Sequence, residues 1–130
     1  MILVDTHVVV WLAFHQERLS KKAKEAIEDA RKNKEGLGIS DVTLLELTTL
    51  ASEGRLHLNI TLESFLQEIE SRFVVLPISS RACVRMLSLP AVYPKDPGDR
   101  IIGATALVEG LALLTADAGI RQSKVVRTIW

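Results

Sequence analysis

Short apolar runs alternate with amphipathic helical stretches along the chain, and this alternation most constrains the fold. Strands that alternate with helices are typical of βαβ units, in which helices cover a parallel sheet. The sequence therefore predicts an α/β fold. Pro77 lies in the third run, which places that strand at a sheet edge. The five predicted strands are residues 1–5, 37–39, 73–78, 111–115 and 125–129.

Residues that favour helix ends mark the boundaries of the helices between these runs. Ser20 and Ser40 are typical N-caps, and a glycine ends the helical pattern at Gly36, Gly54 and Gly110. The predicted helices run from Thr6 or His7 to about Phe14, from Ser20 to Lys34, over 41–53, from Thr61 to about Ser71, and over 81–88 and 97–109, with a short helical turn after Asp117.

Length and composition are those of one compact domain, which we expect to span residues 1–130. Of the 130 residues 48% are hydrophobic, enough for a buried core, and no linker or low-complexity segment divides the chain. Sixteen Lys and Arg residues balance sixteen Asp and Glu residues, so the chain lacks the basic charge of a strong nucleic-acid binder. Any RNA would have to be bound locally or together with a second subunit.

Cysteine usage and hydropathy indicate a cellular compartment. Cys83 has no partner for an internal disulfide, which suits a reducing cytosol, and we expect it to be a small buried side chain. The sequence shows no targeting pattern and no run of the roughly 20 apolar residues that a membrane helix needs. We therefore expect a cytoplasmic protein.

Four acidic residues lie at or near the predicted carboxyl ends of strands, where α/β proteins usually have their functional sites. Asp5 and Asp117 follow predicted strands, and Glu46 and Asp99 lie on the helices between them. Ligands of open α/β sheets bind beyond the carboxyl ends of the strands. Carboxylates gathered there without a His or Cys cluster favour a hard cation such as Mg²⁺ or Mn²⁺. Metal-assisted hydrolysis of a phosphodiester is therefore the leading interpretation.

Each acid also has a simpler interpretation. Asp5 suits the N-cap of the helix that starts at Thr6, and Asp117 suits a turn. Pro97 at the first helical position makes Asp96 an N-cap and Asp99 the third residue of the turn.

Glu46 is the most informative of the four. At about 100° per residue it projects between Val42 and Leu50, inside an arc that also contains Leu45 and Leu47. A carboxylate that faces the core costs several kcal/mol unless a cation or hydrogen bonds compensate. The alternative is a position at the solvent margin of the helix.

Polar and basic residues near the predicted site have less specific patterns. The hydroxyls of Thr6, Ser40 and Thr115 fall beside strand ends and can orient ligand carboxylates. His7 is nearest the site, where we expect a packing or helix-start role. The candidates for RNA-backbone contact are Arg55, Lys95, Arg121 and Lys124, for which solvated surface charge is the favoured explanation. Arg100 can contact phosphate or equally pair with a neighbouring acid.

With these motifs in order along its whole length, the chain resembles a PIN-domain ribonuclease, specifically the small toxin of VapBC toxin–antitoxin modules. The most specific segment is the Asp-Pro-Gly-Asp-Arg of residues 96–100. The other matching segments are Val4-Asp5-Thr6-His7 with Trp11, Ser40 to Leu47 around Glu46, and Leu114-Thr115-Ala116-Asp117.

The resemblance implies a three-layer PIN-like domain with a parallel sheet of order 3-2-1-4-5. It identifies Asp5, Glu46, Asp99 and Asp117 as the catalytic and metal-binding quartet of an Mg²⁺-dependent endoribonuclease, with Mn²⁺ able to substitute. Because Mg²⁺ takes only one or two carboxylates directly, we assign Asp5 and Asp99 as principal ligands. Glu46 and Asp117 would bind a second ion or metal-bound waters. The family also implies a homodimer and an antitoxin partner whose peptide occludes the site.

Three other functions compete with this one. A response-regulator receiver needs an acid after strand three, which ends in Leu76-Pro77-Ile78-Ser79. A haloacid-dehalogenase phosphatase needs an Asp two residues after Asp5, where this chain has His7. The third is a non-catalytic protein-binding module that mainly holds an antitoxin-like partner.

Overall fold

The computed structural model describes all residues from Met1 to Trp130 and contains a five-stranded parallel sheet in the order β3-β2-β1-β4-β5. Helices cover both faces, which confirms the predicted three-layer α/β fold and the edge position of the third strand. The strands are β1 (Ile2–Val4), β2 (Leu37–Ser40), β3 (Val74–Leu76), β4 (Leu113–Leu114) and β5 (Thr128–Ile129).

Seven α-helices connect and flank these strands. Side-chain caps begin them as predicted: the Ser20 hydroxyl accepts from the Ala23 amide and the Ser40 hydroxyl from the Val42 amide. The helices are α1 (Thr6–Phe14), α2 (Lys21–Lys32), α3 (Asp41–Ser52), α4 (Leu62–Arg72), α5 (Ser80–Leu87), α6 (Pro97–Glu109) and α7 (Ala118–Ser123), and a 3₁₀ turn spans Gln16–Arg18.

The central strands divide the core into two layers. Successive side chains of a strand point to opposite faces, so Val4 and Leu114 pack with helices α1–α4, whereas Leu3 and Leu113 pack with α5–α7. The last two residues of β1 pair with the two residues of β4, Leu3 with Leu113 and Val4 with Leu114. The carboxyl ends of both strands therefore meet at the centre of the sheet.

Several local predictions differ from the structure. Strands β3, β4 and β5 are shorter than their apolar runs. Helix α2 ends at Lys32, before the predicted Lys34, and both Lys34 (φ 56°) and Gly36 (φ 80°) have positive φ angles in the turn that follows. The prediction that Cys83 is buried is wrong, because the buried face of α5 carries Ala82 and leaves the neighbouring Cys83 exposed.

None of the helices combines the length and the apolar character needed to span a membrane.

Candidate active site

A cleft of about 750 Å³ opens at the carboxyl ends of β1 and β2, between α1, α3 and the first turn of α6. Four carboxylates line one end of it: Asp5, Glu46, Asp96 and Asp99. Three of them belong to the predicted quartet. Asp96, predicted only as a helix cap, is a further acid at the same place.

Asp5 is held firmly by protein donors. It is 3% exposed, and its Oδ1 accepts from the Thr6 amide at 2.8 Å as the N-cap of α1. Its Oδ2 accepts from the Thr115 hydroxyl at 2.8 Å. The imidazole of His7 lies on the same oxygen, with Nδ1 3.5 Å from Oδ2. Both oxygens of this carboxylate are thus fixed by the sheet edge and the start of α1.

His7 has a definite tautomer in this arrangement. Its Nε2 accepts a hydrogen bond from the Ala116 amide at 3.0 Å, so the ring proton is on Nδ1 and faces Asp5. The ring also meets Trp11 edge-on, with centroids 5.0 Å apart. His7 therefore connects the start of α1 to the loop after β4, a more specific role than the packing or helix-start role predicted for it.

Glu46 reaches the cleft from α3 through two hydroxyl groups. Its Oε1 accepts from the Thr6 hydroxyl at 2.6 Å. The Thr6 hydroxyl oxygen in turn lies 2.9 Å from the Thr43 hydroxyl oxygen. Because the Thr6 proton goes to Glu46, Thr43 donates to Thr6. Burial raises the pKa of Glu46, the Thr6 hydrogen bond lowers it, and the charges of Asp5 and Asp96 raise it further.

The apolar arc around Glu46 has a different role from the one that its pattern suggests. Leu47 is fully buried, but Leu45 is 65% exposed, and Val42, Leu45 and Leu50 line the cleft beside Glu46. Glu46 therefore faces a solvent-filled opening with an apolar wall. This is intermediate between the buried position and the solvent margin that the sequence allows.

The first turn of α6 brings Asp96 and Asp99 close to Glu46. The Asp96 Oδ2 caps the helix by accepting from the Asp99 amide at 3.1 Å, as predicted. A Cβ on Gly98 would lie 2.6 Å from the Glu46 Oε2 and 3.1 Å from the Asp96 Oδ2. Glycine at this position is what allows the two helices to place their carboxylates together.

Asp99 carries the clearest electrostatic signature of the site. Burial, followed by the charges of Asp5, Asp96, Asp117 and Glu46, raises its pKa to about 7. Its carboxylate accepts no hydrogen bond from a protein donor, in contrast to that of Asp5. A carboxylate in this condition favours either a proton or a cation.

Asp117 stands beside the cleft, at the start of α7. Its Oδ1 caps that helix by accepting from the Ile120 amide at 2.9 Å, and its own amide donates to the Thr115 hydroxyl at 3.1 Å. Thr115 thus connects Asp5 and Asp117 through one oxygen, as its position beside the strand end suggests. Asp117 is near enough to contribute to the raised pKa of Asp99.

Tyr93 supports Asp99 from the interior. Its ring is 1% exposed and its hydroxyl donates to the Asp99 carbonyl oxygen at 3.0 Å. A Cβ on Gly103 would clash with that hydroxyl, so the small residue there accommodates Tyr93. Burial and the charges of Asp5, Asp99 and Asp117 raise the pKa of this phenol.

The other predicted residues lie elsewhere. The prediction that the Ser40 hydroxyl orients a carboxylate is wrong, because that hydroxyl caps α3 and bonds none of them. Thr43, for which no role was predicted, supports Glu46 through Thr6. Arg100 turns away from the cleft: its Nη2 donates to the Leu89 carbonyl at 3.4 Å and its Nη1 is buried without a partner. Arg55 lines the cleft, whereas Lys95, Arg121 and Lys124 do not.

The donor chemistry of the cleft fits a hard divalent cation, although no three His, Cys, Asp or Glu side chains form a ready-made set of metal ligands. Magnesium does not require such a set, because it keeps several waters and binds one or two carboxylates directly. The uncompensated carboxylate of Asp99 beside the anchored carboxylate of Asp5 is suited to that mode.

Sequence reasoning gave no role to Thr43 or Tyr93. It predicted Asp96 only as a helix cap and gave His7 only a packing or helix-start role near the site. The usable signal for Thr43 was its position one helical turn before Glu46 (i, i+3), which puts both side chains on one face. Tyr93 lies in the irregular loop before α6, where no helix or strand periodicity predicts which residues its side chain contacts.

Comparisons with known proteins identify the family of the chain. The PIN domain family model matches residues 2–125. Ribonuclease VapC22 of Mycobacterium tuberculosis is 34% identical over 131 residues, covering 99% of this chain and 98% of that protein.

Two solved structures share the fold. VapBC2 from Rickettsia felis, bound to a DNA fragment from their promoter, has a TM-score of 0.75 at 18% identity, over 98% of this chain and 97% of that one. DNA-bound VapBC from Salmonella typhimurium has a TM-score of 0.69 at 22% identity, with the same coverage of both chains. The resemblance predicted from sequence is confirmed: the chain belongs to the PIN-domain family and is similar to its VapC members.

Proposed function

We propose that this protein is an Mg²⁺-dependent endoribonuclease that acts as the toxin of a type II toxin–antitoxin system. The observation that carries the proposal is the convergence of Asp5, Glu46 and Asp99 in one cleft at the carboxyl edge of the sheet, with Asp117 beside them. The similarity of this chain to Ribonuclease VapC22, over nearly all of both chains, supports the same activity.

The residues of the cleft divide the work. Asp5 and Asp99 are the principal cation ligands, and Glu46 and Asp117 hold a second ion or the waters of the first. A bound divalent cation would supply a more acidic water as nucleophile and neutralise charge on the phosphate. The Thr115 hydroxyl orients Asp5 and the Thr6 hydroxyl orients Glu46, while Thr43 supports Thr6 through its own hydroxyl.

A cleavage assay with matched variants tests the activity. Purified protein is incubated with total cellular RNA in EDTA, in Mg²⁺ and in Mn²⁺, alongside Asp99→Asn and the remote control Asp29→Asn on α2. We expect discrete cleavage products only with metal, unchanged in Asp29→Asn and lost in Asp99→Asn. Cleavage that persists in EDTA or in Asp99→Asn would contradict the mechanism.

We further propose that a cognate antitoxin occludes the cleft and that the protein works as a single-domain homodimer in the cytoplasm. The VapBC names of the structural neighbours support the antitoxin partner. A second apolar surface supports the homodimer: Val84 and Leu87 on α5 and Val92 after it are 70%, 83% and 68% exposed. Light scattering should show a dimer for the wild type and a larger monomer fraction for Leu87→Lys.

A further inference from the structure

Trp130, which follows β5, packs against an aromatic side chain of the cleft. Its ring centre lies 5.7 Å from that of Trp11, with the ring planes inclined at 56°. Trp11 lines the cleft and Trp130 does not. Both side chains are half-buried and pack against the core layer shared by α1–α4. Trp130 therefore supports a residue of the cleft from outside the cleft.

Trp11 connects Trp130 to His7. His7 and Trp11 are four residues apart on α1, which puts their side chains on one face of the helix. The two rings meet edge-on, with centres 5.0 Å apart and planes inclined at 69°. The guanidinium carbon of Arg18 lies 5.0 Å from the centre of the Trp11 ring. Trp11 thus lies among three side chains, of which Trp130 is the one that approaches from β5.

His7 connects this aromatic group to Asp5. Its Nδ1 is 3.5 Å from the Oδ2 of Asp5, and its Nε2 accepts a hydrogen bond from the Ala116 amide at 3.0 Å. Both contacts depend on the orientation of one small ring, so a rotation or shift of the imidazole weakens both of them. Any residue that holds the imidazole in place therefore also holds the Nδ1 proton towards Asp5.

A second connection runs from β5 to the same carboxylate oxygen. The Ile129 carbonyl accepts from the Thr115 amide at 3.3 Å, and the Thr115 hydroxyl donates to the Asp5 Oδ2 at 2.8 Å. This connection uses a backbone atom of β5 and does not depend on which side chains the strand carries. The connection through His7 depends on the side chain of Trp130, so a substitution can test it separately.

We propose that Trp130 is a positioning residue for Asp5. It holds Trp11 against His7, and the imidazole held in this way keeps its Nδ1 proton towards the Oδ2 of Asp5. The hold on His7 is a property of the fold alone, whereas its consequence for a cation at Asp5 rests on the proposed function. A Trp130 that only filled space in the core would affect stability but neither the imidazole nor cation binding.

Nitrogen NMR of the histidine side chains tests the hold on His7. Spectra of ¹⁵N-labelled protein are recorded in EDTA at pH 8, where histidines are ordinarily neutral, and His15→Gln and His57→Gln each remove one of the other histidine signals. The wild type should show His7 with its proton on Nδ1 alone. Trp130→Ala should give a mixture of the two tautomers, because the ring loses its fixed orientation. Trp130→Phe, which keeps an aromatic ring against Trp11, should restore the single tautomer.

A Mn²⁺ titration with a matched control tests the consequence for Asp5. Trp130→Ala should weaken Mn²⁺ binding roughly ten-fold, the lower end of the loss for an orienting partner of a metal ligand, and Trp130→Phe should bind as the wild type does. Leu66→Ala is the control, because Leu66 on α4 is also half-buried against the same core layer but takes no part in the aromatic contacts. It should lower the urea midpoint as Trp130→Ala does, with an unchanged His7 spectrum and unchanged Mn²⁺ affinity. If Trp130→Ala does not fold, Trp130→Leu replaces it, with a smaller change of the same kind expected.

The two measurements can fail separately. A single, unchanged His7 tautomer in folded Trp130→Ala, or an equal loss of Mn²⁺ affinity in Leu66→Ala, would overturn the positioning role. A changed tautomer with unchanged Mn²⁺ affinity would also overturn it, because Asp5 would then not depend on His7. A wild-type protein that binds no Mn²⁺ would contradict the proposed function, and the His7 tautomers of Trp130→Ala and Trp130→Phe would then alone decide whether Trp130 holds the imidazole.

Discussion

Asp5 at the end of β1 and Asp99 at the start of α6 line the same cleft but differ in the hydrogen bonds that their carboxylates receive. Asp5 is almost fully buried and its two oxygens accept from the Thr6 amide and the Thr115 hydroxyl. Asp99 receives no side-chain hydrogen bond, and burial together with four neighbouring carboxylates raises its pKa to about 7. The charge of Asp5 is stabilised by hydrogen bonds from the protein, whereas that of Asp99 is stabilised by none and favours a proton or a cation. Under the proposed function, a bound cation would compensate the charge at Asp99 that folding leaves uncompensated.

Removing either charge should have the largest effect on activity and opposite effects on stability. Asp5→Asn and Asp99→Asn should each lower RNA cleavage by roughly a hundred-fold or more, since even indirect partners of a metal ligand cost 10- to 100-fold. Asp99→Asn should raise the free energy of unfolding of the metal-free protein because it removes repulsion. Asp5→Asn should lower it by about 1 kcal/mol, because the Thr115 proton loses its acceptor. Urea unfolding in EDTA measures both changes in the free energy of unfolding. Equal changes in Asp5→Asn and Asp99→Asn would contradict the difference drawn between the two carboxylates.

The bridge between Asp5 and Asp117 gives the next largest effect. Thr115→Val keeps the shape but removes the donor to Asp5 and the acceptor of the Asp117 amide. We expect a loss of about 1–3 kcal/mol in stability and roughly 10- to 100-fold in cleavage. Thr105→Val is the matched control, because that buried hydroxyl donates only to the Ile101 carbonyl within α6. If both variants lost activity equally, Thr115 would have no special role at the site.

Stability of the metal-free protein should depend on pH through Asp99 and Glu46. Both pKa values are raised in the folded state, that of Asp99 from 3.8 to about 7. The folded protein therefore holds more protons than the unfolded chain between about pH 4 and pH 7, and stability falls as pH rises through that window. Unfolding midpoints in EDTA should be higher at pH 5 than at pH 8, with a smaller difference in Asp99→Asn. A midpoint that rises with pH would contradict the raised pKa values of Asp99 and Glu46.

The smallest effect is expected from the support behind Asp99. Tyr93→Phe keeps the ring against Gly103 and removes only the hydrogen bond to the Asp99 carbonyl. Stability should fall by about 1 kcal/mol, and Mn²⁺ affinity should fall slightly because the first turn of α6 is held less firmly. An unchanged Mn²⁺ affinity with reduced stability would limit Tyr93 to packing.

The elements with strong local signals were predictable from the sequence. Asp96, Pro97 and Gly110 fix the ends of α6 by cap, ring and left-handed glycine, and the helix runs between them as predicted. The alternation of apolar runs gave the parallel sheet, while the strand order came from the family resemblance. Asp5, Glu46 and Asp99 could be predicted to lie close together because strand ends and helix faces converge at one edge of the sheet, and these three do line one cleft.

Tertiary packing decided what the sequence could not. Leu45 has the pattern of a core residue, but α3 turns it towards the cleft, where no other element covers it. The raised pKa of Asp99 depends on four charges from separate parts of the chain. Arg100 lies beside Asp99 in sequence yet points to Leu89, because successive helix residues are about 100° apart.

Calorimetric titration of metal-free protein with Mn²⁺, run at pH 6 and pH 8 beside Asp99→Asn and Asp29→Asn, tests the central claim most directly. The account predicts saturable binding to the wild type and to Asp29→Asn, with greater proton release at pH 6, because a cation must displace the proton held at Asp99. Binding should weaken sharply in Asp99→Asn. Binding that is equal in all three proteins, or absent from folded wild-type protein at millimolar Mn²⁺, would show that the cleft is not a catalytic cation site.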